Sequence, residues 1–192
     1  MGQFDIVAIG ASAGGVKALE AILSDLPGDF RVPILIVQHL DPSHRSLMAE
    51  IMQRHSVLLV TEAVDGETIK AGTVYFAPPN RHLLVDDGEI RLTSTEFVHF
   101  SRPSIDLLFE SVAGTYGDRS IGVILSGSGR DGAMGIKAIK EKGGTTIAQD
   151  QATSEHWVMP QAAIETGMVD FVLPIQDIAP AIVELVMGPK EK

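Results

Sequence analysis

Apolar runs of strand length alternate along this chain with stretches of helical period, and that alternation restricts the fold more than any other feature. The strand candidates are Asp5 to Gly10, Pro33 to Gln38, Leu58 to Val64, Gly72 to Ala77, Ile121 to Gly127, Thr145 to Gln149 and Phe171 to Leu173. Most are apolar throughout, the pattern of strands covered on both faces. Between the first two, Val16, Leu19, Ile22, Leu23 and Leu26 share one helical face, and Pro27-Gly28 ends the helix. Similar stripes run through Leu47, Met48, Ile51 and Met52, and through Ile105, Leu108, Phe109 and Val112 behind Pro103. Two more helices are predicted from Asp131 to Lys142 and from about Asp177 to Met187. Repeated strand–helix–strand units imply right-handed crossovers and a doubly wound α/β fold, a mostly parallel sheet with helices on both faces. One stretch departs from the pattern: His82 to Val85, Asp86-Asp87-Gly88 and Glu89 to Thr93 read as a hairpin, so an antiparallel edge is expected.

At 192 residues the chain suits a single domain over its whole length, with about residues 4–187 as ordered core and Gly188 to Lys192 as a frayed tail. With no cysteine there is no disulfide framework, thiolate metal site or cysteine nucleophile, and a cytoplasmic setting is expected. No apolar stretch is long enough to span a bilayer, so no membrane insertion is expected. A formal net charge of −10 repels phosphate backbones and argues against nucleic acid as a partner.

The chemistry begins at the first strand-to-helix turn, Ile9-Gly10-Ala11-Ser12-Ala13-Gly14-Gly15. Serine with glycine two places before and two after is the pattern of a nucleophile elbow, in which a sharp turn lifts the hydroxyl clear of the backbone. The alternatives are a glycine-rich turn that only packs, or one that cradles a phosphate in a nucleotide-binding module. His39 follows the apolar run Pro33 to Gln38, at the carboxyl end of a strand, where parallel sheets place reacting groups. A hydrogen-bonded core histidine, or a weak metal site with Asp41 and His44, are the other readings; no recognised ligand spacing is met, and no metal is expected. Asp131 stands where a glycine-rich loop, Ser126 to Gly132, enters a helix, and by itself reads as a helix cap. All three residues lie just beyond predicted parallel strands, so one crevice could hold a Ser-His-Asp triad.

Those segments, together with Ala77-Pro78-Pro79-Asn80-Arg81-His82, Arg102-Pro103-Ser104-Ile105-Asp106, Gln149-Asp150-Gln151-Ala152-Thr153 and Met159-Pro160, resemble in order the motifs of the chemotaxis protein-glutamate methylesterase catalytic domain, from about Phe4 to Val186. The resemblance implies a serine esterase that removes methyl groups from glutamyl methyl esters on chemoreceptor helices, in many members also a receptor glutamine deamidase. It implies Ser12, His39 and Asp131 as the triad, with no cofactor. Backbone N–H groups of Ala13 and of the Ser128 loop are then expected to hold the oxyanion. Arg102, Arg81 and Arg130 are candidates for gripping an acidic receptor helix. Met159-Pro160, in the long Asp150 to Pro160 loop, is a candidate to close over the site, while His44, His55, His82, His99 and His156 read as surface or structural residues.

The chain departs from the family at Ala13, where many members have threonine, and at Ser128, where many have methionine. Backbone donors survive both changes. The known chemotaxis enzymes carry an amino-terminal receiver domain, whereas here the serine motif lies close to Met1, so a free-standing enzyme or a segment of a methylesterase–methyltransferase fusion is expected. The expected partners are methyl-accepting chemotaxis receptors, with a methyltransferase or receiver domain supplied by another chain. The alternatives in other classes are the nucleotide-binding module and a catalytically silent signalling or docking domain.

Overall fold

The computed structural model of the chain describes residues 3–40, 46–98 and 101–189; Asp41, Pro42, His44 and His99 lie outside them. Seven strands form one parallel sheet: β1 (Ile6–Ala11), β2 (Ile34–Gln38), β3 (Leu59–Glu62), β4 (Thr73–Phe76), and, after a hairpin, β7 (Ser120–Ile124), β8 (Thr145–Gln149) and β9 (Phe171–Leu173). Their spatial order is β3-β4-β2-β1-β7-β8-β9. Every predicted strand is present, β8 and β9 with the predicted bounds and the others with ends shifted by at most three residues.

Continuous apolar runs form these strands because both faces are covered. Along β1, Val7, Ile9 and Ala11 enter one core with Leu19, Ile22 and Leu23 of α1 (Gly15–Asp25) and Ile178 and Ile182 of α6 (Ile175–Met187). Ile6 and Ala8 enter the other, against α3 (Ile105–Tyr116), α4 (Ala133–Glu141) and α5 (Val158–Ile164). The outer strand β9 is partly exposed, so its apolar run is an edge rather than a centre.

Three details differ from expectation. The hairpin strands β5 (His82–Asp86) and β6 (Glu89–Thr93) form in the predicted register, yet stand as a sheet of their own, with Leu83 and Val85 in the α3 core, rather than extending the large sheet. In the short α2 (Met48–Gln53) only Met48 and Met52 of the predicted stripe are buried, and Leu47 and Ile51 face outward. Helix α5 was not expected at all. The Asp150 to Pro160 stretch reads as loop in the sequence, but Pro160 is the third helical residue, within the first turn, where no intrahelical N–H donor is required.

The chain leaves β1 for β2 on one side and leaves β7 for β8 on the other. The two connections diverge above the β1–β7 pair, opening a crevice at the carboxyl edge of the sheet.

Candidate functional site

Ser12 is the first residue beyond β1 and His39 the first beyond β2. Ala11 pairs with Gln38 in the parallel register, so Ser12 and His39 continue side by side, on backbones about 5 Å apart as neighbouring strands are. The His39 N–H donates to the Ala11 carbonyl (3.0 Å), and the Gln38 amide Nε2 donates to the carbonyls of Ser12 (2.8 Å) and His39 (3.0 Å). A buried glutamine thus ties the two turns together. On the other side, the Ser12 N–H donates to the Ser126 carbonyl beyond β7 (3.0 Å). Gly14, with φ of 75°, lets the chain swing from this turn into α1 in a left-handed conformation that costs glycine little. The hydroxyl of Ser12 makes no hydrogen bond among the described residues.

Asp131 comes from the loop after β7. It does not cap α4, which follows it; Gly132 holds that cap position with no side-chain bond. Its carboxylate instead faces the start of α3, accepting from the N–H groups of Ile105 (2.8 Å) and Asp106 (3.0 Å) and from the Ser104 hydroxyl (3.1 Å). The fourth partner is His39, whose Nε2 lies 2.9 Å from Oδ2. Side-chain exposure is 3% for Asp131 and 19% for His39, so the pair is sheltered on the carboxylate side and open on the imidazole side. Burial pushes the Asp131 carboxyl up, but the hydrogen bonds from His39, Asp106 and Ile105 outweigh it and hold the group below the usual carboxylate range. An ionised Asp131 fixes the proton of a neutral His39 on Nε2 and leaves Nδ1 as the lone-pair nitrogen.

Asp106 returns the cap. Its Oδ1 accepts from the N–H groups of Gly132 (2.9 Å) and Gly135 (2.7 Å), so each of α3 and α4 satisfies the first turn of the other with an aspartate.

Above Ser12, the Ser126 hydroxyl donates to the Ala13 carbonyl (2.8 Å) and accepts from the His156 N–H (2.9 Å). Gln149 Oε1 accepts from the Ser126 N–H (2.9 Å). Gly127 donates to the His156 carbonyl (3.0 Å) and accepts from the Met159 N–H (2.9 Å). The Asp150 to Pro160 segment is therefore bonded to the loop beside Ser12, with Met159 buried rather than projecting. Among the described residues the N–H groups of Ala13 and Ser128 have no acceptor.

Arg102 spends most of its donors locally. Nε and Nη2 reach Asn80 Oδ1 (2.8 and 2.6 Å), Nη1 reaches the carbonyls of Ser94 (3.2 Å) and Thr95 (2.9 Å), and the guanidinium lies 4.3 Å from the Phe97 ring centroid. Arg130 is exposed, 3.9 Å from Glu165. Among the described residues no three His, Asp or Glu side chains are grouped to hold a metal ion, and the rest of the His39, Asp41, His44 alternative lies outside them. Gln38, Ser104, Asp106, Ser126 and Gln149 were not singled out in the sequence. Gln38, Ser126 and Gln149 stand at the end of an apolar run or in a glycine-rich loop, Ser104 and Asp106 lie in the Arg102 to Asp106 segment that carries part of the resemblance, and each is buried.

A doubly wound α/β domain with a serine, a histidine and a buried anionic aspartate at one sheet edge has the layout of a hydrolytic domain. The chain belongs to the CheB methylesterase family, whose model matches residues 7–182. It is similar to the crystal structure of the Thermotoga maritima CheB methylesterase catalytic domain, with a TM-score of 0.92 at 38% identity over 95% of this chain and 99% of that one. A Leptospira interrogans protein (strain Fiocruz L1-130) is 44% identical over 95% of both chains. The protein-glutamate methylesterase/protein-glutamine glutaminase of Moorella thermoacetica is 45% identical over 96% of this chain, and protein 2 of that name in Anaeromyxobacter dehalogenans is 46% identical over 95%. The chain spans 45% and 54% of the length of those two relatives.

Proposed function

We propose that this domain hydrolyses glutamyl methyl esters, and glutaminyl amides by the same chemistry, on the helices of methyl-accepting chemoreceptors. The observation that carries the reading is the 2.9 Å contact between a buried anionic Asp131 and His39, which stands just beyond the strand next to that of Ser12. His39 Nδ1 takes the Ser12 proton as the Ser12 oxygen attacks the side-chain carbonyl. The resulting oxyanion is met by the free N–H groups of Ala13 and Ser128, near the amino end of α1, where the helix dipole also favours negative charge. The imidazolium gives its proton to the leaving oxygen, releasing methanol, or to the leaving nitrogen, releasing ammonia. Water then attacks the acyl-enzyme, His39 takes its proton, and collapse restores the Ser12 hydroxyl and frees the glutamate carboxylate. Asp131 keeps the ring in the required tautomer and stabilises its charged form. No step calls for a cofactor.

The imidazole is turned opposite to chymotrypsin-type triads: there Nδ1 faces the aspartate, here Nε2 does. Methanol release from methylated receptor, with labelling of Ser12 by a fluorophosphonate, tests the reading. A receptor that keeps its methyl groups in the presence of folded protein, with Ser12 unlabelled, would overturn it and favour a silent docking domain.

A further inference from the structure

His82 is fully buried, lies outside the proposed triad, and touches what holds that triad. Its Nδ1 accepts from the Ser104 N–H (3.1 Å), and its Nε2 lies 3.0 Å from the Glu96 carbonyl, so the ring is neutral with its proton on Nε2. Ser104 is the N-cap residue of α3, and its hydroxyl donates to Asp131. The next two N–H groups, of Ile105 and Asp106, complete the cradle around the same carboxylate. Fixing the Ser104 peptide therefore fixes three of the four donors to Asp131, including two whose direction depends wholly on the backbone. The other arm of the ring holds Glu96, beside Phe97 and the Arg102 brace.

We infer that His82 is a positioning residue for the reaction, acting through the backbone of Ser104 to aim the amino end of α3 at the Asp131 carboxylate and thereby fix His39. This rests on the hydrolytic reading above. It predicts that the acceptor at the Nδ1 position matters more than the ring. An asparagine at this position carries a carbonyl oxygen close to where Nδ1 stands, and so keeps the acceptor for Ser104. A glutamine reaches instead to the Nε2 position, keeping the donor to Glu96 and losing the Ser104 acceptor.

The experiment compares His82→Asn, His82→Gln and His82→Leu by the rate of fluorophosphonate labelling at Ser12, and by the downfield proton resonance of the His39–Asp131 hydrogen bond. His82→Asn should label at close to the wild-type rate and keep the resonance. His82→Gln and His82→Leu should label about ten- to a hundred-fold more slowly, as small misplacements of catalytic groups do, and lose or broaden it. In an Asp131→Ala background the same His82 substitutions should slow labelling no further, because the group they act through is gone. Equal rates and resonances across the three variants, an Asn variant as impaired as Leu, or the same slowing with and without Asp131 would each overturn the inference. Wild-type protein that fails to label overturns the hydrolytic reading alone, since the proton resonance still reports whether His82 orders the pair.

Discussion

Replacing Asp131 by asparagine preserves shape but not hydrogen bonding, and the structure fixes what must give way. Oδ1 accepts from Ser104 and Asp106, and Oδ2 from Ile105 and His39. Whichever way the amide is turned, its NH2 confronts a backbone N–H. Turned with NH2 in the Oδ2 position, it orphans Ile105 and forces His39 into the wrong tautomer. With NH2 in the Oδ1 position only Asp106 is orphaned, because the Ser104 hydroxyl can rotate to accept, and a carbonyl oxygen still faces His39. The second orientation should win. A buried unsatisfied N–H costs about 1–3 kcal/mol, and losing an anion at a helix start up to about 2 more, so a loss of about 2–4 kcal/mol is expected. For a domain of this size that lowers Tm by roughly 5–15 °C. The rate should fall by about ten-fold, the value of charge assistance to one hydrogen bond at about 1–1.5 kcal/mol, rather than the roughly ten-thousand-fold of a tautomer-limited triad. Thermal melts and methanol release measure both. Because the folded carboxyl is held low, its stabilising effect is present above the unfolded pKa of about 3.9 and is lost as pH falls through the folded value. The Tm gap between wild type and variant should therefore close on acidification below that range. An Asn variant that melts with the wild type at neutral pH would refute the clamp.

Ser12→Ala and His39→Ala should each cost on the order of a million-fold in kcat, and the pair together little more, measured as methanol release. Gly127→Ala places a Cβ 2.9 Å from Ser12 Cβ and 2.5 Å from Met159 Cε, so it should slow phosphonate labelling of Ser12; unchanged labelling would mean that this approach is not tight. Asp106→Ala orphans the N–H groups of Gly132 and Gly135 and should destabilise by about 2–4 kcal/mol, with Asp106→Asn much closer to wild type because Oδ1 can still accept; equal melts of both variants would contradict this.

The sheet was legible because its central strands are apolar runs bounded by glycine and proline, and a parallel sheet aligns their carboxyl ends whatever their side chains. Placing Ser12, His39 and Asp131 just beyond three strands was therefore enough to gather them on one edge. What surrounds them was not legible, since it depends on contacts between segments far apart in the chain. Gln38 looks like one more strand residue until its amide is seen bridging Ser12 and His39. Met159-Pro160 reads as part of a long, family-typical loop able to close, yet it belongs to a helix bonded to Gly127. The burial of Asp131 follows from a helix start 25 residues upstream, a contact that the local sequence does not announce.

The exchanged caps also explain why an aspartate beside a helix was read as that helix's own cap. A residue one place before a helix usually serves it, because the shortest loop is the least costly to order. Here α3 and α4 start side by side at the carboxyl edge, and each offers unpaired N–H groups to the other's aspartate. Crossing the caps ties two helix starts to one another as well as satisfying both, which a pair of local caps would not do. It also leaves the Asp131 carboxylate bound by the Ser104 hydroxyl and the N–H groups of Ile105 and Asp106, with Oδ2 also turned to His39. An anion held by backbone N–H groups needs no rearrangement when the imidazole beside it becomes charged, and that readiness is what electrostatic stabilisation in a low-dielectric site requires.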